Sequence, residues 1–153
     1  MKKILLLFLV VSLSLLANPL KTGDKLESVL NFSDQFDNIH ELNTLNNKVI
    51  VSFEKGTGKL VNEFLSQKDK NYLTTHNATF IANISGMPSI ITKLFALPKM
   101  KKYKHTILLI YNEDNTMFPS HEGEITLLSI KNSVVQSIEF IKNEEELKAF
   151  IEK

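Results

Sequence analysis

Val49-Ile50-Val51-Ser52-Phe53, then Glu54-Lys55-Gly56-Thr57-Gly58-Lys59, then Leu60-Val61-Asn62-Glu63-Phe64-Leu65, is the stretch on which the fold turns. The first five residues form a β-branched and aromatic run, which suits a strand buried inside a sheet. The six that follow hold two glycines and read as a strand-to-helix turn in which glycine supplies positive φ. Leu60, Val61, Phe64 and Leu65 recur at helical spacing, predicting a helix to about Lys68. Strand, turn and helix in this order open a βαβ unit.

Downstream the same order returns. Residues 79–84 read as a strand and Ser85-Gly86 as a turn. Met87-Pro88 then opens a helix carrying Ile90, Ile91, Leu94, Phe95 and Leu97, with Ser85 as its N-cap. The spacing of Met87, Phe95, Leu97 and Met100 points to the core. Upstream, residues 26–32 lead into Ser33-Asp34-Gln35-Phe36-Asp37-Asn38, a cluster suited to a tight turn. Ile39-His40-Glu41-Leu42 alternates beyond it and completes an N-terminal hairpin.

The second half changes pattern. Residues 106–111 form another buried strand, and residues 125–130 and 134–141 pair as an antiparallel hairpin about Lys131-Asn132-Ser133. Asn143 caps a last helix whose first turn holds Glu144, Glu145 and Glu146, where the positive end of the helix dipole favours them. Leu147, Phe150 and Ile151 are its buried face. The sum is an α/β sandwich with a mixed central sheet, flanking helices and an N-terminal hairpin.

Residues 1–17 read as a signal peptide. Lys2-Lys3 precede an apolar run ending at Ala17, the expected cleavage position. That run falls short of the roughly 20 residues of a transmembrane span, so the mature chain is expected to have none. With no cysteine after it, a lipoprotein is excluded. Residues 18–153 fit one domain of ordinary size. The protein is expected to be exported, to the periplasm.

Net charge is +1 for the whole chain and −1 once Lys2 and Lys3 are lost. A near-neutral body has no global field for nucleic acid, and no nucleic-acid partner is expected. Every one of the 18 basic residues is lysine. Planar bidentate clamping of phosphate or carboxylate by arginine is therefore unavailable. There is no cysteine, so the fold must stand without disulfide staples.

In Gly23-Asp24, in the Ser33–Asn38 turn and in the strand–turn–helix from Val49, the chain resembles the exported redoxin branch of the thioredoxin-like superfamily. Ser85-Gly86-Met87-Pro88 and Phe95-Ala96-Leu97-Pro98-Lys99-Met100 are similar to a small group of uncharacterised exported bacterial proteins, some labelled oxidoreductases or flavin dehydrogenases. The resemblance implies a thioredoxin-like fold over most of the mature chain. It also places that superfamily's paired cysteines about where Gly56 to Lys59 stand, and its cis-proline near Tyr103-Lys104-His105, where no proline occurs. Without a thiolate there is no nucleophile for disulfide exchange or thiol-based peroxide reduction.

Other motifs are partial. Lys55, Gly56, Thr57, Gly58 and Lys59 are the candidate binding residues, an anion-accepting turn at a helix start. Val61 replaces the third small residue of a dinucleotide fingerprint, and Phe53 and Leu60 break a P-loop. His121-Glu122-Gly123-Glu124 and His40-Glu41-Leu42-Asn43 each begin like a zincin helix but lack the second histidine, so no metal site is expected. The Phe118-Pro119-Ser120-His121-Glu122 loop is a secondary polar locus. Lys99, Lys101, Lys102 and Lys104, with Tyr103 among them and His105 after, read first as a solvated connector in a lysine-rich chain, the alternative being a contact with an anionic partner or headgroup surface. No catalytic residue and no cofactor are assigned. The expected function is an exported, non-catalytic domain binding an envelope protein or small ligand. The alternatives are a cofactor-dependent oxidoreductase and a subunit of envelope assembly.

Overall fold

A seven-stranded mixed sheet runs in the order β2-β1-β5-β4-β3-β6-β7 in the computed structural model, which describes residues 18–26, 30–113 and 116–153. The expected signal peptide lies outside the described residues. The strands are β1 (Leu30–Asp34), β2 (Ile39–Leu42), β3 (Asn46–Ser52), β4 (Ala78–Asn83), β5 (Leu108–Ile110), β6 (Ile125–Lys131) and β7 (Val134–Ile141). The helices are α1 (Lys55–Ser66), α2 (Tyr72–Thr75), α3 (Ser89–Ile91), α4 (Leu97–Met100) and α5 (Glu144–Glu152). β3, β4 and β5 are parallel neighbours. β6 joins β3 antiparallel and pairs with β7, while the β1–β2 hairpin joins β5 antiparallel. The predicted α/β sandwich with its N-terminal hairpin is the fold observed.

The pleat explains how one sheet makes two cores, since successive residues of a strand face opposite sides. Ile50, Phe80, Leu109 and Leu127 enter one cluster with Val61, Phe64 and Leu65 of α1 and Leu147, Phe150 and Ile151 of α5. Val49, Val51, Ile81, Leu108 and Leu128 enter the other. Among the described residues, no helical residue belongs to that second cluster. Its cover is extended chain instead: Leu20, Leu26, Met117 and Phe118 lie on it. These segments are tied down by backbone bonds, Leu20 N–H to the Met117 carbonyl at 2.8 Å and Leu26 N–H to that of Ser133 at 2.8 Å.

Helix boundaries depart from expectation in three places. α1 starts at Lys55 and absorbs the predicted turn. The Glu54 carbonyl already accepts the first helical bond, from Gly58 N–H at 2.9 Å. Thr57 Oγ1 folds back to accept from Glu54 N–H and donate to its carbonyl. Second, Ser85 is not a cap: its hydroxyl donates to Asn83 Oδ1 at 2.6 Å, and the helix begins at Ser89 after an extended Pro88. Third, α3 and α4 are joined through a π-helical turn, Thr92–Ala96; of the residues expected in the core, Phe95 is exposed, Met87 is half-buried, and Leu97 and Met100 pack on it. α5 is as predicted, with Asn143 Oδ1 accepting from Glu146 N–H at 2.9 Å.

Candidate functional site

Two loops that stand far apart in sequence meet at the head of α1. β3 delivers the chain to Glu54, and β6 runs antiparallel beside it, so the turn preceding β6 lies against the helix start. Gly123, at φ +71°, turns there in a conformation that side chains disfavour. Its N–H donates to Glu54 Oε1 at 2.8 Å. Between the loops is a groove of about 130 Å³ lined by Glu54, Gly56, Thr57, Leu60, Gly123, Ile125, Ile141 and Lys142.

Of the five sequence candidates, the groove takes in Gly56 and Thr57. Gly58 instead faces the sheet: a β-carbon there would stand 3.3 Å from Ser52 Oγ, so its small size lets α1 sit close on β3. Neither Gly56 nor Gly58 has a positive φ, contrary to expectation, because both already lie within helix. Lys55 and Lys59 are outside the groove lining, and Lys59 Nζ pairs with Glu63 Oε1 at 3.5 Å along the exposed helix face. Sequence reading missed Glu54. An acid directly before a helix is a recognisable capping signal, but its tie to Gly123 is a tertiary contact.

The opposite wall is a charge cluster. Glu124 lies 3.3 Å from Lys142 Nζ and 3.1 Å from His121 Nδ1. Desolvation opposes ionisation of Glu124, but hydrogen bonds from Lys142 and His121 outweigh it and hold the carboxyl below its ordinary range. The His121 ring stacks on Phe140, centroids 3.7 Å apart. Chemically, the groove offers one carboxylate at the positive end of a helix, a threonine hydroxyl and an apolar floor from Leu60, Ile125 and Ile141.

The remaining histidines are dispersed. His40 Nε2 is 2.7 Å from Asp34 Oδ2 at the hairpin turn, and His76 Nδ1 is 2.8 Å from the Tyr72 carbonyl. His105 is buried; its Nε2 stands 2.9 Å from Asn62 Oδ1, while Asn62 Nδ2 donates to the Gly58 carbonyl at 2.7 Å. Because the Asn62 oxygen must accept, His105 carries its proton on Nε2, leaving Nδ1 buried without a hydrogen-bond partner. Burial pushes the imidazole down to about 4. Among the described residues, no three histidine, aspartate or glutamate side chains are grouped to hold a metal ion.

No protein-family model matches this sequence, and no curated protein matches it. Solved structures do. The peroxidoxin BcpB of Mycobacterium tuberculosis aligns over 86% of this chain and 94% of its own, with 14% identity and a TM-score of 0.55. StoA of Bacillus subtilis aligns over 83% and 98%, with 13% identity and a TM-score of 0.53. A peroxiredoxin-like protein of Aquifex aeolicus aligns over 90% and 89%, with 9% identity and a TM-score of 0.54. At such identities the likeness is one of backbone. Sheet order, helix placement and these alignments agree on one conclusion: the chain has the thioredoxin-like fold, built without a cysteine.

Proposed function

We propose that the protein is an exported, non-catalytic thioredoxin-like domain that binds a short extended segment of an envelope protein in the groove at the head of α1. The observation that carries this reading is the Glu54 carboxylate bonded to Gly123 N–H at 2.8 Å, at the helix end where thioredoxin-like enzymes would need a thiol. An acid there repels anions, so the groove favours a neutral or cationic ligand with an apolar portion. The floor of Leu60, Ile125 and Ile141 suits an aliphatic side chain, and the second Glu54 oxygen suits an amine or amide donor. Export is supported by the tripartite pattern of residues 1–17.

Amide NMR titration of the chain from Asn18 with short peptides carrying leucine beside lysine tests the reading. Shifts are expected to concentrate at Gly56, Thr57 and Gly123, and to weaken about tenfold in affinity in Glu54→Gln, the loss of one charged hydrogen bond. Shifts centred elsewhere would contradict the site. Turnover of any substrate by the purified chain, abolished by Glu54→Gln, would contradict the non-catalytic role. A flavin absorption spectrum from the native protein would instead support the cofactor-dependent alternative.

A further inference from the structure

The rod formed by α3, the π-helical turn and α4 is amphipathic the wrong way round. Its buried residue is a threonine, Thr92, whose hydroxyl donates back to the Pro88 carbonyl at 3.3 Å. Ile90, Ile91, Leu94 and Phe95 are 63%, 42%, 62% and 65% exposed. Only the far end of the rod, at Leu97 and Met100, packs on the core. Pro98 accounts for the wide turn. It has no N–H, and in a regular helix its ring would press on the Leu94 carbonyl. The extra residue relieves that, with Leu97 N–H donating to Thr92 O, five residues back. Leu94 and Phe95 follow Ile90 and Ile91 by one helical turn, and all four are exposed.

The charge carried by this stretch is of one sign. Lys93, Lys99, Lys101, Lys102 and Lys104 are all exposed, and no aspartate or glutamate occurs between Ile84 and His105. None of the five lysines is in an ion pair among the described residues. In a chain that is near neutral at +1, this stretch is a local excess of positive charge. A second copy docking about a two-fold axis would set these lysines against themselves. A sheet of phosphates would not.

We propose that this rod docks the protein onto a bilayer surface bearing anionic phospholipid. Ile90, Ile91, Leu94 and Phe95 enter the boundary between headgroups and acyl chains, and the five lysines meet the phosphates. Four large apolar side chains and a basic rim supply the two signals that durable surface binding takes. None of the residues lining the groove belongs to the rod, so the two surfaces are addressed by separate substitutions.

The test is flotation of the chain from Asn18, which contains every described element and core residue, with vesicles of phosphatidylcholine alone or with phosphatidylglycerol added. Binding is expected only to the anionic vesicles, and is expected to fall as salt is raised. Each lysine near the surface contributes about a fivefold factor, so changing Lys99, Lys101 and Lys102 together to glutamine is expected to weaken binding about 100-fold. Leu94→Gln with Phe95→Gln is expected to weaken it at least tenfold, and their exposure predicts unchanged melting. Because the chain contains no tryptophan, Phe95→Trp is a single reporter whose emission shifts to the blue on docking. Equal binding to neutral vesicles, or no binding to either, overturns the proposal. So does a concentration-dependent dimer, or an acidic protein partner, that the Leu94→Gln/Phe95→Gln variant disperses while vesicle binding is unaffected.

Discussion

His105 is an imidazole held in the core. Its Nε2 proton is committed to Asn62, its ring stacks on Tyr103 at 5.4 Å, and its other nitrogen has no hydrogen-bond partner. A proton on Nδ1 would bring an uncompensated charge into the core, so burial lowers the imidazole to about 4. In the unfolded chain the same group titrates near 6.5. Between those values only the unfolded state takes up the proton, so stability is full above about pH 6.5, declines as pH falls toward 4 and levels off below. The loss is about 3 kcal/mol. Urea unfolding from pH 7.5 to 3.5 is expected to show that decline in the native chain and a smaller one in His105→Gln. An equal decline in both would place the titrating group elsewhere. Nothing in Tyr103-Lys104-His105 foretold this, because the sequence shows a histidine in a basic run and only packing reveals that it points inward.

At the level of the element, strands were more legible than helix faces. Residues 49–53, 79–84 and 125–130 announce themselves because burial on both sides of a sheet favours apolar residues nearly throughout, and 134–141, on the sheet edge, because β-branched and aromatic residues recur along it. A helix face must be inferred from period alone, and the wide turn at Thr92–Ala96 shifts that period, so Phe95 fell outside while Leu97 and Met100 fell inside. The groove was legible by halves. Its two loops stood out for their glycines and polar residues, yet their meeting through Glu54 and Gly123 depends on β6 lying beside β3. α5 was fully legible because its cap chemistry is local. Asn143 accepts from Glu146 N–H, and Glu146 Oε2 accepts from Lys142 N–H at 3.2 Å. Asn143→Ala is expected to cost about 1 kcal/mol. The check is a lower midpoint of chemical unfolding at unchanged denaturant slope.

Across the whole molecule, a fold without disulfides and, among the described residues, without helical cover on one face must take its cohesion from the sheet. That cohesion is uneven. β3 is hydrogen-bonded on both sides along nearly its whole length, to β4 and to β6. The β1–β2 hairpin is joined to β5 in register only at Ser33–Leu109 and Asp34–Leu108. The junction is extended by a side chain: Gln35 is 1% exposed, its Nε2 donating to the His105 carbonyl at 2.9 Å and its Oε1 accepting from Ile107 N–H at 2.9 Å. Glutamine here does the work of one more strand residue, in a segment whose composition reads simply as a turn. The hairpin is therefore expected to open as a unit before the central strands do. In native-state hydrogen exchange, amides of β1 and β2 and that of Ile107 exchange through a lower-energy opening than those of β3, β4 and β6. Gln35→Ala leaves one buried N–H and one buried carbonyl unsatisfied, which at about 1–3 kcal/mol each brings that opening down by several kcal/mol. The exchange of β3 in the variant decides the matter. If β3 keeps a higher opening energy than the hairpin, the molecule is a rigid half-sheet with a separately clamped hairpin. If both strand sets fall together, the sheet unfolds as one and the clamp is only part of its total stability.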